Sequence, residues 1–149
     1  MAMSTSRYPE TADAIRTLER RYQAKRKRIL VVEDDRLSLI LLRQLLTAQG
    51  YEILYSSEGW DGITRARNEQ PDLIVMDINL PDISGLGATL LLKKDDQTKN
   101  IPIIAVTAFV TPADKANAFS SGCDAYLAKP INMSDLLGTV ETFLSSSSA

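Results

Sequence analysis

Leu73-Ile74-Val75-Met76-Asp77 is an apolar run of β-type residues that ends on a carboxylate. Three more runs have the same form. Ile29 to Val32 leads into Glu33-Asp34, Ile103 to Val106 leads into Thr107, and the weaker Ala125 to Ala128 delivers Lys129. The spacing predicts strands over 28–33, 51–56, 72–77, 102–107 and 124–128, with helices over 35–49, 59–69, 85–95, 112–120 and 133–144. Gly50 suits the C-terminal cap of the first of these helices, and Asn132 or Ser134 suits the start of the last. Regular βα alternation implies an α/β fold with a parallel sheet. In an open sheet of that kind every strand C-terminus lies on one edge, where ligand chemistry gathers. Glu33, Asp34, Asp77, Thr107 and Lys129 are therefore expected to meet.

Their chemistry is specific in combination. Three carboxylates in one crevice repel one another unless a hard cation such as Mg²⁺ is present, and that ion prefers oxygen ligands. An aspartate so placed can act as a nucleophile and form an acyl phosphate. Lys129 offers a point charge to one phosphoryl oxygen and Thr107 a hydroxyl to another. Singly, each residue has an ordinary reading. Glu33-Asp34-Asp35 could be a helix N-terminal cluster opposing the helix dipole, and Asp35 is expected to serve that way. The joint pattern carries the inference.

These residues and spacings, 30 from Asp77 to Thr107 and 22 from Thr107 to Lys129, resemble the receiver domain of two-component response regulators. The resemblance covers residues 28 to 144 and implies a flavodoxin-like sheet of order 2-1-3-4-5 flanked by five helices. It makes Asp77 the phosphoacceptor, Asp34 a direct metal ligand and Glu33 a ligand acting through metal-bound water. The backbone carbonyl of Asn79 would complete the protein's share of the metal shell. Thr107 matches the switch hydroxyl, Tyr126 the aromatic switch, and Ala108 the small residue that admits the phosphoryl group. Phe109 and Asn79 would flank the attacking water, and Lys129-Pro130 matches a step that is usually cis in the family. Met76 to Leu86, Ile101 to Phe109 and Gly122 to Tyr126 are worded like the DivK type of single-domain, cell-cycle receivers.

The function implied is that of a stand-alone regulator. It would take phosphate from a histidine kinase or histidine phosphotransfer protein and signal by binding an output protein through its fourth helix, fifth strand and fifth helix. It would not be an enzyme beyond its own phosphorylation and dephosphorylation. A relay that passes phosphate to a second histidine protein would use the same residues, and a docking scaffold would use none. A haloacid-dehalogenase-type phosphatase, which also uses a strand-terminal aspartate, normally has a second acid where this chain has Asn79 and needs room for a cap domain. No Gly-rich phosphate loop follows the first strand, which argues against a nucleotide-binding domain.

Composition narrows the field further. The chain has 149 residues, 44% of them hydrophobic, and no stretch apolar enough to suggest membrane insertion. It has no histidine, which removes Ser-His-Asp catalysis, histidine-ligated zinc and any role as the histidine phosphodonor. Its single cysteine, Cys123, excludes an internal disulfide and, with no signal peptide evident, fits a cytoplasmic setting.

The net charge of −2 conceals an asymmetry. Residues 1–28 hold eight Lys/Arg and three Asp/Glu, a balance of +5, while the rest holds nine and sixteen, a balance of −7. The expected division is a basic extension over 1–27, a receiver over 28–144 and a frayed serine-rich tail over 145–149. Pro9-Glu10 suits a helix start, and Ile15, Leu18 and Tyr22 trace a narrow apolar stripe. No recognition helix or aromatic platform accompanies the basic residues, so nucleic acid is not the expected partner. Trp60 is expected to open a helix after Gly59 and pack on the domain surface.

Overall fold

The computed structural model describes residues 11–19, 26–108 and 111–145. The apolar runs form β1 (Arg28–Val32), β2 (Glu52–Ser56), β3 (Leu73–Asp77), β4 (Ile103–Thr107) and β5 (Ala125–Ala128). The helices of the domain are α1 (Arg36–Ala48), α2 (Gly59–Glu69), α3 (Gly85–Lys94), α4 (Pro112–Ser120) and α5 (Met133–Ser145). All four strand pairings are parallel, in the expected order β2-β1-β3-β4-β5. Boundaries depart from the sequence reading by a residue or two, the ordinary uncertainty of element ends.

Alternation along the central strands builds two apolar layers. Leu30, Val32, Ile74, Met76, Ile103 and Ala105 face Ala66 of α2, Ala88 and Leu92 of α3, and Ala118 of α4. Ile29, Val31, Leu73, Val75, Ile104 and Val106 face Leu42 and Leu46 of α1 and Leu136, Val140 and Leu144 of α5. Each fully buried Leu or Ile stabilises the fold by roughly 1.5–3 kcal/mol. With both faces covered, β1, β3 and β4 must be continuous apolar runs. β5 is an edge strand and only partly buried, hence its weaker sequence signal.

Local chemistry sets the helix ends. Asp35 caps α1 by accepting from the Ser38 amide (2.9 Å), and Gly50, just past the helix, takes the left-handed φ of 94° that glycine allows. Ser84 caps α3, Thr111 caps α4, and Asn132 accepts from the Asp135 amide (3.0 Å) at the start of α5. Glu58 precedes α2 but makes no side-chain cap. Lys93 on α3 ties the far edge together, donating to the Ile101 carbonyl (2.7 Å) and to Asp124 (3.0 Å).

Residues 11–19 are helical, with Ile15 and Leu18 of the apolar stripe half or more exposed. Pro9, Glu10, Tyr22 and four of the basic residues, Arg20, Arg21, Lys25 and Arg7, lie outside the described residues, as does the tail from 146. Arg26 donates to the carbonyls of Gly50 and Tyr51 at 3.2 and 3.3 Å, which fixes where the extension joins the domain.

Candidate functional site

The strand register brings four strand ends to one edge. Val32 lies opposite Met76, Asp77 opposite Val106, and Thr107 opposite Ala128. The pairing continues one residue past the strands: the Glu33 amide donates to the Ser56 carbonyl (2.9 Å), Ile78 to Val106 (3.0 Å) and Lys129 to Thr107 (2.8 Å). Backbone hydrogen bonds thus hold the bases of Glu33, Asp77 and Lys129, and the peptide bond between Lys129 and Pro130 is cis.

Glu33, Asp77 and Thr107 are buried polar residues, each 3% exposed or less. The Lys129 ammonium lies between the two acids, 2.9 Å from Glu33 Oε1 and 3.4 Å from Asp77 Oδ2. Burial pushes the Glu33 carboxyl above its ordinary value, with Asp77 adding to the rise and Lys129 opposing it. For Lys129, burial pulls the ammonium down. Its hydrogen bond to Glu33 and the charges of Asp77 and Glu33 outweigh that, so the net movement is upward. Two carboxylates therefore crowd one lysine.

Asp34 joins them from the solvent side. Glu33, Asp34 and Asp77 each offer an oxygen, and these lie within 4.8 Å of one another, the one such cluster among the described residues. The donor set is all oxygen and its charge is in excess, which suits a hard divalent cation such as Mg²⁺ better than a soft metal. Cys123 belongs elsewhere, buried in the apolar layer with its thiol pushed up to about 11, chiefly by burial.

Asn79, Ala108 and Pro130 follow Asp77, Thr107 and Lys129 at this edge. The Asn79 amide donates to Asp77 Oδ1 at 3.1 Å, placing Asn79 at the mouth of the site. Ala108 and Pro130 are exposed beside it, and Phe109 lies outside the described residues. Tyr126 sits two residues back from the edge, opposite Ala105, partly buried against the layer that includes Ala105 and Ala118. Burial, then the charges of Asp114 and Cys123, raises its phenol.

Two residues gain a structural reason that sequence reading did not supply. Asp82 reaches from the β3–α3 loop to the first turn of α2, accepting from the Gly59 amide (2.8 Å) and the Trp60 amide (2.9 Å). Trp60 is the second residue of that helix, after Gly59, and it is 53% exposed rather than packed away. Gly85 begins α3 directly on the end of β3. A Cβ there would collide with the Asp77 carbonyl oxygen and stand 2.7 Å from Ile78 Cα. Gly85→Ala is expected to force α3 off the strand end and cost about 1–3 kcal/mol, the usual penalty of overpacking. Urea unfolding checks this; an unchanged midpoint would refute it.

Residues 29–141 match the response regulator receiver domain family. The polar-differentiation response regulator DivK of Brucella anthropi is 42% identical over 118 residues, covering 79% of this chain and 96% of that protein. A putative response regulator from Chloroflexus aurantiacus superposes with a TM-score of 0.78 at 29% identity, over 81% of this chain and 99% of that one. The receiver domain of a sensor histidine kinase from Pseudomonas aeruginosa, solved with a magnesium ion coordinated in its active-site cleft, does so with a TM-score of 0.75 at 28% identity, over 80% and 98%. The five-strand order, the acidic edge and these likenesses agree: the chain belongs to the response regulator receiver domain family and is a DivK-like signalling module.

Proposed function

We propose that Asp77 accepts a phosphoryl group from a histidine kinase or histidine phosphotransfer protein, and that the phosphorylated chain signals by binding another protein. The observation that carries this reading is the buried Glu33–Lys129–Asp77 bridge with Asp34 beside it, at the edge where four strands end. An Asp77 carboxylate oxygen attacks phosphorus, a P–O bond forms, and the P–N bond to the donor imidazole breaks, its electron pair returning to the ring nitrogen. Glu33, Asp34, Asp77 and the Asn79 carbonyl would hold Mg²⁺, which offsets the charge on the transferring group. Lys129 holds one phosphoryl oxygen by its charge, Thr107 donates to another, and Ala108 leaves the approach open beside Pro130. Phe109 and Asn79 flank the water that later hydrolyses the acyl phosphate.

The added charge and acceptor oxygens bias two packings of the same residues. Thr107 is drawn to the phosphate, Tyr126 turns into the space released, and the surface of α4, β5 and α5 changes shape for its partner. By likeness to DivK the setting is cytoplasmic control of the cell cycle or cell fate, with the receiver over 28–144 and the basic extension over 1–27 as separate parts. Thr107→Ala is expected to accept phosphate yet bind the output partner at least about tenfold more weakly when phosphorylated. Partner affinity equal to wild type would sink the switch.

The test of the function itself is intact mass after incubation with acetyl phosphate and Mg²⁺. A phosphate-sized increment that survives acid and is lost in base supports it. No increment, with either acetyl phosphate or a histidine kinase, would leave a docking scaffold as the better reading.

A further inference from the structure

The loop from Ile78 to Ser84 carries the Asn79 carbonyl, and its two ends are fixed. Asn79 is tied back to Asp77 Oδ1, and the Gly85 amide donates to the Ile78 carbonyl at 2.8 Å. Between those ends Leu80 and Ile83 make partly buried apolar contacts. Among the described residues the loop's side-chain polar tie to another element is Asp82, whose two carboxylate oxygens take the first two amides of α2, one each. The same turn of α2 meets the loop a second way. A Cβ at Gly59 would collide with Ile83 Cγ2 and stand 3.4 Å from Asp82 Oδ1, so the loop and the helix close on each other only because residue 59 is glycine. The Trp60 amide leads the causes that hold the Asp82 carboxyl below its ordinary value, as expected for an ionised clasp.

We propose that Asp82 is a positioning residue for the cation site: by clasping α2 it sets the loop that presents the Asn79 carbonyl, and cation binding in turn tightens the first turn of α2. The inference rests on the cation reading above and adds to it a residue that touches neither metal nor phosphate. It also makes Trp60 a reporter, because Trp60 is the chain's one tryptophan and its amide is half of the clasp.

The experiment is a Mg²⁺ titration of the full chain, followed by calorimetry for affinity and by Trp60 emission for the α2 turn. Wild type should bind with a change in emission. Asp82→Ala should bind about tenfold more weakly, the low end of what partners behind a metal ligand contribute, and its emission change should vanish. Gly59→Ala, which leaves Asp82 intact but pries the loop from the helix, should weaken binding in the same direction. Asp82→Asn, keeping one good acceptor, should fall between and serves if the alanine variant folds poorly. Thr111→Ala, which removes a cap at α4, should lower stability without changing the affinity. Equal affinity in wild type, Asp82→Ala and Gly59→Ala overturns the clasp alone. A wild type that binds with silent Trp60 emission overturns its coupling to α2. A wild type that takes up no Mg²⁺ overturns the cation reading, and the clasp falls with it.

Discussion

Asp77→Asn is expected to abolish the acid-stable, base-labile phosphate increment completely while leaving the fold at least as stable as before. The chemical half follows from the atom lost. An amide has no anionic oxygen to attack phosphorus, and the other buried carboxylate, Glu33, is the one Lys129 holds more closely, at 2.9 Å against 3.4 Å for Asp77. The structural half follows from the crowding. Asparagine keeps the oxygen that accepts from the Asn79 amide, so that turn survives. It also removes one of the two negative charges flanking Lys129, and with it an influence that pushes Glu33 upward after burial. Metal-free melting should therefore show a midpoint no lower than wild type at neutral pH. Loss of the increment together with a collapse in melting temperature would mean that the substitution unfolds the chain, and the result would say nothing about a phosphoacceptor.

The residues of this site were legible one strand at a time because each sits at the end of a strand or just past it. β3 is buried along its whole length, so Leu73 to Met76 had to be apolar and Asp77 stood out at its end. Lys129 was harder to read, since Ala125 to Ala128 lies at the sheet edge and carries little pattern; its distance from Thr107 and the Lys129-Pro130 step supported the placement. What stayed hidden depends on how loops approach each other. Lys129 read as a charge for a phosphoryl oxygen; that its ammonium bridges Glu33 and Asp77, 96 residues away in the first case, is set by strand register. The capping of α2 by Asp82 is a meeting of two loops with no local spacing to betray it, and Glu58, which directly precedes α2, makes no cap. Gly85 read as an ordinary helix start. Its reason, contact with the backbone of Asp77, exists only once α3 is packed on β3.

Lys129→Ala is expected to destabilise the metal-free protein by about 2–4 kcal/mol at neutral pH, because it strands two buried carboxylates without a countercharge; the quarter exposure of Lys129 keeps the loss below the upper end for buried pairs. The pH dependence separates this cause from lost packing of the lysine stem. Glu33 is already raised above its ordinary 4.5 by burial and by Asp77, and Lys129 supplies the opposing influences. Deleting Lys129 raises Glu33 further. A carboxyl whose folded value lies above its unfolded one loses stability as pH climbs from near 4.5 through the folded value. The deficit of the variant should accordingly be small at pH 4, grow once pH passes the raised folded value of Glu33 in wild type, and level off above the still higher value in the variant. Wild type carries a counterpart at the alkaline end. Lys129 is raised from 10.5, so the stability it contributes is present below that pH and lost as pH rises through the higher folded value. Urea unfolding in a chelator from pH 4 to 7.5 checks the acid limb, and a deficit equal at every pH would assign the loss to packing. Adding Mg²⁺ provides the second check: a divalent ion among Glu33, Asp34 and Asp77 supplies the missing positive charge, so the variant should gain more stability from it than wild type does. Phosphate incorporation should nevertheless remain slow in the variant, since a cation that restores the charge balance of the acids leaves the phosphoryl oxygen assigned to Lys129 without its ammonium partner.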